Sequence, residues 1–343
     1  MMDFEEMRVQ KRLDLPQAAT ESISLILTEI DAIKNDWLAT STRVSPRIIS
    51  QLTRRNMMKS AGASQRIAGH HFTDKQVANL YENLNNAPYE TQEKQEVSGY
   101  LECLQTIFNR YQELPVTIDL ILQLHNTVQI QCDKSAMQEI TPPHFKTTAP
   151  YLVKKEIEEL IEWYTWANRT NAHHPLILIA NFIFEYLAIH PFQDGNGRTS
   201  RLLTNLMLLQ QEYLFATIVS HDHVIEMREE AYFQTIVQTH KTWKTKTENI
   251  LPWLLFFLDA IKTQGAQAVK TIGKDNSSVL LPPHHLALLT FAKRRASRPF
   301  NRKEVRTALR LSPCMAETLL SKLTTMRHLK KLGHGPTARY QIL

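Results

Sequence analysis

His190-Pro191-Phe192-Gln193-Asp194-Gly195-Asn196-Gly197-Arg198-Thr199-Ser200-Arg201 decides how this chain reads. The residues before it, Leu176 to Ile189 (LILIANFIFEYLAI), are apolar nearly all round, as a helix buried inside a larger domain is. That pattern stops at His190-Pro191, because the residue before a proline is pushed out of helical geometry. A second helix begins near Gly197-Arg198 and runs on through Leu202, Leu203, Leu206 and Leu209. Two of only nine glycines in 343 residues fall in the tight polar loop between these core helices.

The loop has the make-up of a phosphate site. Gly195 and Gly197 can take positive φ and let backbone N–H groups converge on an anion. The new helix adds unpaired donors and roughly half a positive charge at the same place. Arg198 and Arg201, three apart, project from the first turn to one side and suit bidentate contact with phosphate oxygens. Asp194 offers a hard carboxylate of the kind Mg²⁺ takes together with phosphates and waters. His190 is suited to remove a proton from an attacking hydroxyl.

The rest of the chain sets the frame. Hydrophobic residues make up 43% and charged residues 22%, the balance of a globular protein with room for two or three units. Scarce glycine favours helix over sheet. Cys103, Cys132 and Cys314 lie far apart and form no CxxC pair, which points to a reduced, cytoplasmic setting. The start, Met1 to Glu6, lacks the basic and apolar regions of a signal peptide. The strongest apolar runs, Pro175–Phe184 and Trp253–Ile261, are too short to span a bilayer. No membrane partner is expected.

The charge of +6 is uneven. Residues 281–343 hold thirteen Lys and Arg against Glu304 and Glu317, a net +11 that leaves the first 280 residues at about −5.

Four regions are expected. Residues 1–90 read as an N-terminal helical region, with Ser45-Pro46 opening one helix and a capping box at Thr73 and Gln76 opening another. Residues 91–262 read as a helical core, interrupted between Cys132 and Ala149, where Pro142, Pro143 and Pro150 exclude a long helix and suggest a small β-hairpin flap. Residues 263–280, with Gly265, Gly273 and Asn276-Ser277-Ser278, read as a linker. Residues 281–343 read as a winged helix-turn-helix: helices at His284–Lys293, Arg302–Leu309 and Ser312–Met326, then a basic, strand-like end with a turn at Gly333 to Pro336.

The stretch from His190 to Arg201 resembles the signature of the Fic family, HPFx(D/E)GNGRxxR, with every fixed position present. Met227 to Phe233 and Trp253 to Leu258 resemble that family's later helices. The resemblance implies a mostly α fold and a protein adenylyltransferase that moves AMP from ATP, with Mg²⁺, to a Tyr, Thr or Ser hydroxyl of a target protein, itself included. His190 would then be the base, Phe192 the anchor of the loop, and Asp194 the metal ligand. Gly195, Asn196, Gly197 and Arg198 would hold the triphosphate with Thr199 and Ser200 beside them, and Arg201 would steady the γ-phosphate. Tyr232 is either an adenine-stacking residue or an ordinary core tyrosine.

Many family members carry an inhibitory helix of pattern (S/T)xxxE(G/N) whose Glu pairs with the second motif arginine. The matching place is Ser64-Gln65-Arg66-Ile67-Ala68-Gly69, and its acidic position holds Ala68. That departure implies a less restrained enzyme. Other readings stay open: a Fic enzyme using another nucleotide, a de-AMPylase, or a DNA-binding regulator that uses the site as a nucleotide sensor. A toxin-type module held by a separate antitoxin fits less well with a built-in inhibitory segment. Besides the target protein, partners allowed at this point are DNA or protein at residues 281–343 and a second copy of the chain in a homodimer.

Overall fold

A computed structural model describes residues 3–82, 91–129, 146–275, 283–295, 298–333, 335 and 338–343. In chain order the helices are α1 (Arg8–Lys11), α2 (Gln17–Ser41), α3 (Pro46–Ile67), α4 (Asp74–Glu82), α5 (Gln92–Arg110) and α6 (Ile118–Val128). Next come α7 (Pro150–Thr170), α8 (Pro175–Ile189), α9 (Asn196–Gln210), α10 (His221–Glu226), α11 (Glu229–His240) and α12 (Leu251–Asp275). The last part holds α13 (Pro283–Arg294), β1 (Phe300–Asn301), α14 (Arg302–Leu309), α15 (Pro313–Thr325), β2 (Leu329–Leu332) and β3 (Arg339–Ile342). The chain is mostly α, as expected. The hairpin expected between Cys132 and Ala149 falls almost wholly outside the described residues.

Two compact units emerge, one of residues 1–34 and 55–267 and one of residues 35–54 and 268–343. This departs from the expected boundaries, which kept residues 1–90 apart from the core. In the first unit α8 is the central rod, with α7 and α9 packed against it. Pro175 opens α8 and its apolar residues from Leu176 to Ile189 are almost all buried, which is why an all-round apolar helix is stable here. The α5 and α6 backbones touch: a Cβ on Gly99 would lie 2.0 Å from the Thr127 carbonyl oxygen. The expected capping box forms, with Thr73 N–H donating to Gln76 Oε1 (2.9 Å) and Gln76 N–H to Thr73 Oγ1 (3.3 Å).

The N-terminal residues belong to this unit because of a buried ion lock that the sequence did not suggest. Arg12 Nε donates to Asn181 Oδ1 (2.5 Å), and its guanidinium pairs with Glu185. Arg8 joins Glu185 and Glu248, and Trp243 Nε1 donates to Glu185 Oε2 (3.1 Å). Burial pushes the Glu185 carboxyl up, but Arg12 and Arg8 outweigh it and hold the group at about 2.

The linker expected at 263–280 is instead helical as far as Asp275. Gly265 does not break α12 because it answers a packing need: a Cβ there would lie 2.6 Å from Ile33 Cγ2 and 3.2 Å from the Phe215 ring. Residues 276–282 lie outside the described set.

In the second unit α13, α14 and α15 match the three expected helices to within a residue or two. Ser312 Oγ accepts from Met315 N–H (3.2 Å) and caps α15, with Pro313 at its first position. The strands form one antiparallel sheet in the order β1-β3-β2, pairing Phe300 with Tyr340 and Lys331 with Tyr340 on the other side. Leu288, Phe300, Val305, Leu319, Leu320, Leu323 and Leu329 close the core beneath it. Among the described residues of the chain no helix is long and apolar enough to cross a membrane.

Candidate active site

The α8–α9 loop owes its shape to three local devices. His190 takes a left-handed conformation (φ 58°, ψ 64°) that turns the chain out of α8, and its N–H still donates to Tyr186 O (3.1 Å). Gly195 caps α9 at φ 79°, where a Cβ would meet Gln129 Nε2 at 2.9 Å. Asn196 is buried and clamps the backbone of Phe192 from both sides, accepting from its N–H (3.0 Å) and donating to its carbonyl (2.6 Å). Phe192 stacks flat on His125 of α6, ring centroids 3.6 Å apart.

A cavity of ≈ 290 Å³ opens above this loop. His190, Gln193, Asp194, Gly195, Asn196, Gly197, Arg198 and Arg201 line one side, and Ile67, Ala68, Tyr232, Phe233, Ile236 and His240 line others. The first intrahelical bond of α9 is Thr199 N–H to Gly195 O (2.9 Å), so the N–H groups of Asn196, Gly197 and Arg198 precede it at the cavity. Thr199 and Ser200 are buried and do not line the cavity; Ser200 Oγ donates to Gly197 O (2.8 Å).

The charged groups are tightly set. Burial pushes the His190 imidazole below its ordinary value, opposed by the Leu187 carbonyl, 3.4 Å from Nδ1, and by Asp194. Burial pushes the Asp194 carboxyl up, but the Arg198 charge and the Gly195 N–H (2.6 Å from Oδ1) outweigh it and hold it below the usual range. Arg198 Nη2 donates to Asp194 Oδ2 (2.6 Å), and its Nη1 pairs with buried Glu96 of α5. Arg201 Nε donates to Ser64 Oγ (2.9 Å) and lies 3.3 Å from Asp222 Oδ1, while Nη2 donates to the Ser64 carbonyl (2.9 Å).

The end of α3 thus lies against the second motif arginine. Ser64 touches Arg201, Ala68 lines the cavity, and Gly69 turns the chain at φ 88°. Tyr232 both lines the cavity and packs against Phe233, Trp253 and Phe256. Sequence reading missed Glu96, Asp222, His125 and Gln129, which surround the loop from α5, α10, α6 and the residue after α6. Nothing marks them in the sequence beyond helical spacing.

Residues 115–208 match the model of the Fic/DOC family. Over these residues the chain is similar to that family. Over 103 residues it is 29% identical to protein adenylyltransferase fic-1 of Caenorhabditis briggsae, a match covering 29% of this chain and 20% of that one. Protein adenylyltransferase Fic of Drosophila grimshawi is 33% identical over 111 residues, 30% of this chain and 22% of the relative. The chain therefore spans about a fifth of the length of these relatives. In fold it is similar to a Fic family protein from Desulfovibrio desulfuricans (TM-score 0.57, 20% identity, 94% of this chain and 95% of that one). A Fic domain containing signaling protein from Bacteroides thetaiotaomicron gives a TM-score of 0.60 at 20% identity, covering 72% of this chain and 98% of that one.

Proposed function

We propose that the chain is a protein adenylyltransferase that transfers AMP from ATP to a hydroxyl of a target protein. One observation carries the reading: His190, the N-terminus of α9 and both motif arginines converge on one cavity. The target hydroxyl oxygen attacks the α-phosphorus as the bond to the pyrophosphate oxygen breaks, and pyrophosphate leaves. His190 takes the hydroxyl proton. Its lowered pKa keeps the imidazole neutral near pH 7, and the Leu187 carbonyl by Nδ1 favours the tautomer whose free lone pair is on Nε2. The N–H groups of Asn196, Gly197 and Arg198, in the turn that Gly195 opens, with the guanidinium of Arg201, orient the phosphates and balance their charge.

The donor set fits Mg²⁺. Asp194 offers one hard carboxylate, 67% exposed, at a cavity suited to phosphates. Among the described residues no cluster of three or more His, Cys, Asp or Glu could cage a metal by itself. Asp194 would hold Mg²⁺, which would neutralise phosphate charge there. Ala68, at the place where an acid would face Arg201, supports an enzyme free of that restraint, and Tyr232 is positioned to wall the nucleotide.

The test is incubation of the purified chain with Mg²⁺ and α-³²P-labelled ATP beside His190→Ala. Label on protein from the parent alone is expected. Equal labelling by both would sink the assignment of His190, and ATP binding without any transfer would favour the nucleotide-sensor reading.

A second reading concerns the second unit. Its α13–β1–α14–α15–β2–β3 order supports a winged helix, and within residues 281–343 the two acids are already paired, Glu304 with Arg295 and Glu317 with Arg302. Exposed Lys303, Arg306, Arg310, Lys322, Arg327, Lys330 and Lys331 remain as a basic surface. DNA binding here predicts an affinity that falls steeply with salt. Absence of binding at low salt would remove the idea.

A further inference from the structure

Arg198 opens α9 with its guanidinium suspended between two carboxylates of opposite character. Nη1 pairs with Glu96 of α5, whose side chain is 3% exposed, and Nη2 donates to Asp194, whose side chain is 67% exposed. Arg198 itself is 2% exposed. Glu96 is held from its other side, since Gln92 Nε2 donates to its Oε1 (3.1 Å), and His70 Nε2 lies 3.6 Å from its Oε2.

The two contacts cannot be exchanged with equal ease. Pulling Arg198 away from Glu96 would leave a buried carboxylate with only the Gln92 amide and the His70 ring beside it, the costly way to break a buried pair. Pulling it away from Asp194 frees a carboxylate that faces solvent. An incoming phosphate therefore meets Arg198 at Nη2, and Nη1 stays fixed. We infer that Glu96 is a positioning residue of the nucleotide site, setting the plane of the Arg198 guanidinium and, through Nη2, the orientation of Asp194. Gln129 Nε2, 3.3 Å from the same Asp194 oxygen, supports that carboxylate as well. Glu96 touches neither nucleotide nor target; it acts through Arg198. This inference rests on the reading of the cavity as a nucleotide site.

Two substitutions separate charge from geometry. Glu96→Gln keeps the shape and removes the charge; Glu96→Asp keeps the charge but shortens the reach by one methylene. The full chain and both variants are titrated with ATP and Mg²⁺ by calorimetry, and each is checked for a cooperative melt. Positioning predicts that both variants bind ATP on the order of tenfold more weakly, the size usual for removing an outer partner of a ligating group. KM for ATP in the transfer assay rises in step, with kcat held within about threefold.

A folded Glu96→Asp or Glu96→Gln chain with the parent's ATP affinity overturns the inference. So does tighter binding, which would make Glu96 a competitor for Arg198, and so does a loss confined to kcat. If Glu96→Gln does not fold, Glu96→Asp alone decides. A parent chain that binds no ATP removes the nucleotide reading itself, and this differs plainly from a parent that binds while the variants bind equally well.

Discussion

Placing an acid at position 68 is the sharpest perturbation the site offers. Ser64 and position 68 lie one helical turn apart on the same side of the α3 terminus. Ser64 already contacts Arg201 through both its hydroxyl and its carbonyl, at 2.9 Å each. Ala68 lines the same cavity as Arg201, so a Glu side chain placed there enters the space where a γ-phosphate would sit. Ser64 contacts Nε and Nη2 and Asp222 lies by Nε, Tyr232 also bears on this guanidinium, and Nη1 is turned toward Gly197; a carboxylate at position 68 would compete with these partners for the same charge. A charge-assisted hydrogen bond in such a place contributes about 1.5–3 kcal/mol. ATP must displace it, so Ala68→Glu should weaken ATP binding about 10- to 150-fold. Transfer at sub-saturating ATP should fall by the same factor. The assay pairs calorimetric ATP titration with transfer of labelled AMP, and Ala68→Gln serves as the control of equal bulk. The reasoning is refuted if Ala68→Glu binds ATP as the parent does, or if Ala68→Gln weakens binding just as much, since bulk rather than charge would then be at work.

Two further expectations concern stability. Gly99→Ala drives a methyl into the Thr127 carbonyl, backbone against backbone at 2.0 Å, so α5 and α6 must separate; a loss of at least about 3 kcal/mol in denaturant unfolding is expected, and a loss under about 1 kcal/mol would mean the contact yields easily. Glu185 has a folded value of about 2, depressed from 4.5, so its stabilising share is complete above about pH 4.5 and disappears as pH falls toward 2. Arg12→Ala, which strips that buried carboxylate of a partner, should cost about 3–5 kcal/mol at pH 7, and the parent's acid-side loss of stability should be smaller in this variant.

What could be read in the sequence follows from what is local. The loop from His190 to Arg201 was legible because each device in it acts within a few residues. Proline ends one helix, glycine at positive φ starts the next, and Asn196 clamps Phe192 four positions away. The capping box at Thr73 and the serine caps of α3 and α15 were legible for the same reason. Gly265 misled because a glycine in a polar stretch looks the same whether it breaks a helix or admits Ile33 against its backbone. The supporting half of the site could not be seen at all. Glu96 stands 102 positions from Arg198, and in Gln92-Glu93-Lys94-Gln95-Glu96 it looks like one more solvated acid. Asp222 stands 21 positions beyond Arg201 and is fully buried, held there by the Tyr100 hydroxyl from a third helix.

This asymmetry has a physical cause. Backbone donors at a helix start gather an anion wherever that turn occurs, so the ligand-facing groups can be written in one short motif. Two guanidiniums buried to within a few per cent of complete burial need counter-charges before any ligand arrives, because an unpaired buried charge is not tolerated. Any helix that reaches them can supply the carboxylate, so the fold, not the motif, determines its position in the chain. The consequence is that each motif arginine brings a distant acid with it: Glu96 for Arg198 and Asp222 for Arg201. An acid placed at position 68 would thus add a restraint to an Arg201 whose charge Asp222 already balances, and the loop can hold its shape with or without it.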